Sequence, residues 1–330
     1  MIQTEGLTRH FRVKKTTVEA VRGIDLHIEA GELVALLGPN GAGKSTLLRM
    51  LTTLLPPTSG RASVAGRDVL ANPTGVRSAI GYVGQKNSAG NNFLVRDELV
   101  TQARSYGLSK AQARRRADEV LRLLDLQPLA ARKPATLSGG QRRRVDVAMC
   151  LVHRPRLLFL DEPSTGLDPQ NRANLWEHIL RLREQHGMTL FLTTHYLEEA
   201  DRMAERVLII DHGRIITDGT ADGLKRELAG DRVVVTVIDP AEAATAAAIA
   251  ERIPAATAVE TDATTVRLRV PRAGTALPEY LRALDAAGIK AVTAETRQST
   301  LDDVFLSLTG RSLREGDDAD QDDSNQTQVG

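Results

Sequence analysis

Cysteine occurs once in the 330 residues, at Cys150. A single thiol excludes an internal disulfide framework and a cysteine-ligated zinc site, and it fits a reducing compartment. Aromatic residues make up only 3% of the chain. Neither sign of charge is in excess: 43 Lys and Arg face 42 Asp and Glu, for a net charge of +1. That balance argues against holding nucleic acid or an anionic bilayer by bulk electrostatics. There is no apolar run of about 18 residues, so no segment reads as a membrane span. The opening residues, MIQTEGLTRHFRVKK, hold no apolar stretch of signal-peptide length, so no leader is expected. What is present is globular: 42% apolar, 26% charged, and length enough for two domains.

Residues 1 to about 228 alternate short apolar runs with amphipathic helical stretches. LVALLG (33–38), LLFLDE (157–162), TLFLTTH (189–195) and RVLIIDHGRII (206–216) look like strands buried on both faces. Their alternation with helices predicts an α/β domain on a mostly parallel sheet. Residues of about 88–155 show helical patterns with no strand between them, so they read as a helical insertion. Within it Ser109 can cap a helix that carries Ala113, Ala117, Val120, Leu121 and Leu124 on one face.

Residues 231–310 read as a separate α+β domain in the order β-α-β-β-α-β, as in ferredoxin-like folds, followed by a last helix at 300–310. From Glu315 the chain is acidic and polar, and the segment 311–330 is expected to be a disordered tail.

The strongest local signal is Gly38, Pro39, Asn40, Gly41, Ala42, Gly43, Lys44, Ser45, with Thr46 following. It matches G-x-x-x-x-G-K-[ST] between a strand and a helix, the context a phosphate loop requires. Small residues let backbone N–H groups converge on phosphate oxygens, and the helix N-terminus adds a positive dipole. Lys44 reaches the β- and γ-phosphates, and the Ser45 hydroxyl takes a position on Mg2+. The second half of the site is LLFLDE, which delivers Asp161 and Glu162 to the carboxyl end of a strand, where α/β sheets bind ligands. Asp161 is the candidate Mg2+ ligand through water, and Glu162 the candidate base for an attacking water. One acidic residue after an apolar strand means little alone; beside a phosphate loop it completes a nucleotide triphosphatase.

Leu137-Ser138-Gly139-Gly140-Gln141 opens a further helix. Ser138 can cap it, and Gly139 and Gly140 leave its first amides bare, which makes a second anion site. Two phosphate-binding helix ends serve one nucleotide if two copies pack head to tail.

With these segments in view, the sequence resembles the ATP-binding subunit of an ABC transporter, over residues 1 to about 228. LSGGQ is that family's signature. Gln85, in IGYVGQ, falls at the Q-loop glutamine, a Mg2+ and water ligand. Ser164 to Asp168 resembles the D-loop, and His195 the switch histidine that touches the γ-phosphate. Phe11 falls where an aromatic ring stacks on adenine, though a lone aromatic near a strand end also suits a core, and Val18 or His10 could share the contact.

The resemblance implies ATP and Mg2+ as cofactors. It also implies a homodimer closed by ATP and an integral-membrane permease that would hold the chain at the cytoplasmic face of the cell membrane. Arg114–Arg116 and Arg142–Arg144 could suggest nucleic acid, but no aromatics interleave them, and they read as solvated helix faces with no nucleic-acid partner.

The segment Ser299 to Gly310 is similar to the C-terminal part of daunorubicin/doxorubicin-resistance ATPases. It carries Leu301, Val304, Phe305 and Leu308 on one apolar face, which must dock on its own domain or on a dimer partner. The resemblance therefore implies an export ATPase for a drug-like or lipophilic compound. An import ATPase or a non-transport ABC ATPase is the alternative.

Overall fold

The computed structural model describes residues 1–14 and 16–310. The expected disordered tail, 311–330, lies outside the described residues.

Strands β1 (Ile2–Val13) and β2 (Thr16–Ile28) pair antiparallel. Next come β3 (Leu33–Leu37) and α1 (Lys44–Leu51). Strands β4 (Ser59–Val64) and β5 (Arg67–Asp68) complete a four-stranded sheet of order β2-β1-β4-β5. This sheet adds to the mostly parallel one the sequence predicts. Its physical basis is alternation: Ile24, Leu26 and Ile28 are buried while Asp25 and His27 between them are exposed, the pattern of a sheet with one wet face.

Helix α2 (Pro73–Ala79) is capped by Asn72 and leads directly into β6 (Ile80–Val83). Three helices follow: α3 (Val95–Ser105), α4 (Lys110–Leu123) and α5 (Gly139–Leu151). Ser109 caps α4 in a reciprocal capping box with Gln112, and the face from Ala113 to Leu124 is buried. Then come β7 (Leu157–Asp161), α6 (Pro169–His186), β8 (Thr189–Thr193), α7 (Leu197–Met203), β9 (Arg206–Asp211) and β10 (Arg214–Gly219).

The second sheet has the order β10-β9-β3-β8-β7-β6. Strands β6, β7, β8, β3 and β9 run parallel. Every residue of β3, β7 and β8 is buried, as the unbroken apolar runs require. Phe159 and Phe191 meet across β7 and β8 with ring centres 5.7 Å apart. Burying each such ring contributes about 1.5–3 kcal/mol.

Contacts divide the chain into two units. One comprises Met1–Tyr196 and Met203–Thr217; the other comprises Leu197–Arg202 and, of the described residues, 218–310. The division falls before the 228 suggested by the sequence. The reason is local: α8 (Ala221–Leu224) and the π turn Lys225–Ala229 pack on the helix Leu301–Thr309 and so belong with it.

The second unit continues with β11 (Asp231–Thr236), α9 (Pro240–Ala250), β12 (Thr257–Asp262), β13 (Thr265–Val270), α10 (Ala273–Ala286), β14 (Thr293–Arg297) and α11 (Leu301–Thr309). The sheet order is β12-β13-β11-β14, with antiparallel neighbours, as in a ferredoxin-like sheet. Val233, Val235, Val266 and Leu268 share a core with Ala243, Ala246 and Tyr280 of the two helices. On α11, Leu301, Val304 and Phe305 are buried and Leu308 is 37% exposed, so most of its apolar face is covered within its own unit.

Candidate functional site

Four adjacent parallel strands end at one edge of the second sheet. β3 delivers the glycine loop, β7 delivers Asp161 and Glu162, β8 leads to His195, and β6 leads to Gln85. The register sets Asp161 opposite Thr193 and Leu160 opposite Val83. Carboxyl ends of parallel strands are where such sheets bind ligands.

The loop is glycine-rich for measurable reasons. A Cβ on Gly38 would fall 2.2 Å from the Ile210 carbonyl oxygen. Gly43 has φ +107°, and a Cβ there would fall 2.4 Å from the Ala20 carbonyl oxygen. Thus β2 and β9 press the loop from two sides. Lys44 is 5% exposed, and its Nζ donates to the carbonyls of Gly38 at 2.6 Å and Pro39 at 3.0 Å. Its ammonium is thereby folded over the loop it must serve. Helix α1 starts immediately after Gly43, with Ser45 and Thr46 in its first turn and no acidic residue there to oppose an anion.

Asp161 is 2% exposed and sits in a nest of hydroxyls. It accepts from Thr193 Oγ1 at 2.7 Å, Ser45 Oγ at 3.3 Å and Tyr82 OH at 3.4 Å. Burial, and then the Asp161 charge, push the Tyr82 hydroxyl up to about 12. A carboxylate beside a serine hydroxyl is an all-oxygen donor set that suits Mg2+, which takes one or two protein oxygens and completes its shell with phosphates and water. Among the described residues no cluster of three or more His, Cys, Asp or Glu side chains offers a different metal site.

Glu162 follows at φ +48°, a left-handed conformation that side-chain-bearing residues avoid. Its N–H donates to both the carbonyl and the hydroxyl of Thr193, each at 3.1 Å. Its side chain is 12% exposed and lies 3.4 Å from His195 Nδ1, while Thr165 Oγ1 donates to it at 3.3 Å. His195 chiefly, and Lys44 by its charge, hold the Glu162 carboxyl below its ordinary range against the opposing effect of burial.

Gln85 is exposed, two residues beyond β6. Phe11 is half-buried on β1 opposite Val18, with the Arg9 guanidinium 4.7 Å from its ring centre, so it is not a core residue.

Ser138 caps α5 and is exposed with Gly139. Its Oγ accepts from Gln141 N at 3.3 Å, and Gln141 Oε1 accepts from Ser138 N at 3.1 Å, so each side chain satisfies the other residue's backbone N–H. Gly140 is buried against Asn171, where a Cβ would fall 2.5 Å away. Asn171 in turn donates to Asp168, the cap of α6. Within one chain, polar contacts therefore link the loop, Asp161, Glu162 and His195 into one group, while Asn171 is hydrogen-bonded to Asp168 and packs against Gly140.

Residues 21–165 match the family model for the ABC transporter, and residues 219–309 match the model for the C-terminal domain of DrrA1-3-like ATP-binding proteins. The daunorubicin resistance ATP-binding protein DrrA3 of Streptomyces coeruleorubidus is 41% identical over 313 residues, covering 95% of this chain and 97% of that protein. The chain belongs to the ABC transporter ATP-binding proteins of the daunorubicin-resistance type.

Another ABC ATP-binding relative, the linearmycin resistance protein LnrL of Bacillus subtilis strain 168, is 33% identical over 317 residues, 96% of this chain and all of that one. Among solved structures, a dimeric ATP-binding cassette in a post-hydrolysis state with ADP and Pi aligns at a TM-score of 0.62. It is 26% identical and covers 67% of this chain and 98% of its own. As an ABC ATPase of this type, the chain is an ATP-hydrolysing transporter subunit.

Three side chains at the site escape motif reading: Tyr82, Thr193 and Arg143. Tyr82 and Thr193 are polar residues at the carboxyl ends of all-apolar strands, and that position was their only signal. Arg143 was concealed in a run of arginines read as solvated. In fact each run buries one member: Arg116 is 8% exposed and Arg143 6%. Arg116 donates to the carbonyls of Leu151 and Val152, which closes α4 onto the end of α5.

Proposed function

We propose that the chain drives efflux of a drug-like or lipophilic compound through a separate membrane permease, as one half of a homodimer bridged by two nucleotides. Residues 33–46 and 157–195 would supply one half of each reaction chamber, and Ser138–Gln141 of a second copy the other. The observation that carries the dimer reading is the exposed start of α5: Ser138 and Gly139 form a capped, unobstructed helix N-terminus. Such an end attracts a phosphate.

The roles follow from chemistry. Phe11 stacks on adenine. The backbone of Gly38 to Gly43 with Lys44, Ser45 and Thr46 cradles the phosphates. Ser45, Asp161 and Gln85 would hold Mg2+, which when bound offsets phosphate charge. Glu162, ionised and oriented by His195, accepts a proton from the attacking water. His195 and the second copy's signature serine stabilise charge on the transferring phosphoryl group. Asp168 couples the two chambers through Asn171. Closure can do work because ATP binds the closed pair better than the open one, and hydrolysis removes that preference.

Among the described residues no helix is long and apolar enough to cross a membrane, so transport needs a partner with spans. Beyond Gln85, Phe93 is 69% exposed and Leu94 36% exposed, an apolar pair that suits such a partner. The cargo class rests on the relatives named for daunorubicin and linearmycin resistance. The test is co-purification from membranes: a multi-span protein should accompany the chain, and lipophilic drugs should then stimulate ATP turnover. Purification without any membrane partner, or turnover indifferent to every such compound, would refute the export reading.

A further inference from the structure

Helix α5 buries two charged side chains on successive turns, Arg143 and Asp146, at 6% and 0% exposure. Neither lies at the exposed signature end. Arg143 Nε donates to the Pro163 carbonyl at 2.7 Å, and Nη1 donates to the Gly84 carbonyl at 2.7 Å. Its Nη2 lies 3.4 Å from the carbonyls of both Asp161 and Glu162. One guanidinium thus gathers four backbone carbonyls from two segments, the one that precedes Gln85 and the one that carries Glu162. Asp146 holds the far end of the first segment: its Oδ1 accepts from Ser88 N at 2.7 Å and Ala89 N at 2.9 Å.

The strained turn gives this arrangement its meaning. A glutamate at φ +48° persists only where its surroundings over-determine it. Thr193 grips the Glu162 N–H, and Arg143 faces its carbonyl from the other side. Only a forked, planar cation can serve carbonyls in several directions; an ammonium at the same place is a single point.

We propose that Arg143 is a positioning residue for ATP hydrolysis: it fixes the strained backbone of Glu162 and the carbonyl of Gly84 beside Gln85, so that both side chains face the same phosphate. Asp146 steadies the opposite end of that loop. The proposal rests on the reading of Glu162 as the base.

The test uses the full chain with saturating Mg-ATP at a protein concentration that does not limit dimer formation. In R143K, kcat should fall about 10–100-fold, the scale of an ångström-sized misplacement. The ATP Kd and the thermal midpoint should stay near wild type. R143Q is run beside it, so that one poorly folded variant does not decide the outcome. Turnover within about twofold of wild type in a folded variant, or ATP affinity lost in proportion to kcat, would overturn the proposal.

On an E162Q background, R143K should add little further loss, because the group it positions is already disabled. A full second multiplication would overturn it. D146N keeps an oxygen for both N–H groups and should turn over faster than D146A; equal loss in the two removes Asp146 from the arrangement. Near-normal turnover in E162Q refutes the base, and with it the catalytic meaning of the brace. Normal turnover in R143K beside an inactive E162Q refutes the brace and not the base.

Discussion

His195 Nδ1 lies 3.4 Å from Glu162 Oε2, and this contact joins the ends of two neighbouring strands across the nucleotide site. It keeps the carboxylate ionised at a lower pH than an ordinary glutamate while directing it into the site. A carboxylate held ionised, mostly buried and next to the phosphate loop is suited to the proposed role of taking a proton from water. Glu162→Gln preserves the shape and removes the acceptor. Hydrolysis should fall about 10²–10⁴-fold, while equilibrium ATP binding stays within the range of the parent. Stopped-flow single turnover with a parallel binding titration measures both, and near-normal turnover would remove Glu162 from the role.

The glycine loop allows a comparison of strain with collision. Gly41 has φ +76° with nothing within 4 Å of an added Cβ, so Gly41→Ala meets backbone strain alone, about 1–2 kcal/mol. Gly43→Ala meets similar strain and also the Ala20 carbonyl at 2.4 Å. Displacing that strand adds about 1–3 kcal/mol. Chemical denaturation should rank G43A clearly below G41A, and only G43A should lose most of its ATP affinity. Equal losses would mean that β2 does not constrain the loop.

Ser138→Arg tests the bridged dimer. The arginine removes the cap, at about 1 kcal/mol, and sets bulk where a phosphate of the opposing site would lie. A single chain should still bind ATP. The ATP-dependent dimer should vanish in light scattering, most visibly on an E162Q background, where the parent should accumulate as a dimer. Turnover should fall by about 10²-fold or more. A dimer that persists would contradict the sandwich arrangement.

Much of this site is legible in the chain because two of its physical demands leave strong marks. A strand buried on both faces is mostly apolar, and a loop pressed by Ile210 and Ala20 has no room for a Cβ at those two points, so β3, β7, β8 and the glycines Gly38 and Gly43 announce themselves. The β-α-β-β-α-β order of the second unit shows in the alternation of Val233 and Val235 and in the alanine stripe of α9. The buried arginines do not show. Three consecutive helical residues point in directions about 100° apart, so a triplet beside a packed interface must turn one member inward. Composition counts all three as solvated. The start of α10 is also concealed. Its Pro278 lies inside the helix, where the missing N–H leaves the carbonyl of exposed Gly274 to solvent at little loss. A proline suits the first turn of a helix and so marks a start near itself, whereas the helix starts at Ala273.

Cys150 offers a last check, on the packing of α5 against β6. Its Sγ donates to the Tyr82 carbonyl at 3.0 Å, and burial pushes the thiol up from its ordinary range to about 12. The folded state keeps the proton that the unfolded chain releases above about pH 9, so the group's contribution to stability is complete below that value. It declines as pH rises through the interval to about 12. Native protein at pH 8 should therefore resist maleimide, and unfolded protein should react at once. Cys150→Ala should also flatten the alkaline loss of stability in denaturant titrations. Rapid labelling of the native chain would show that α5 parts readily from β6, and with it the helix that carries both the signature and Arg143.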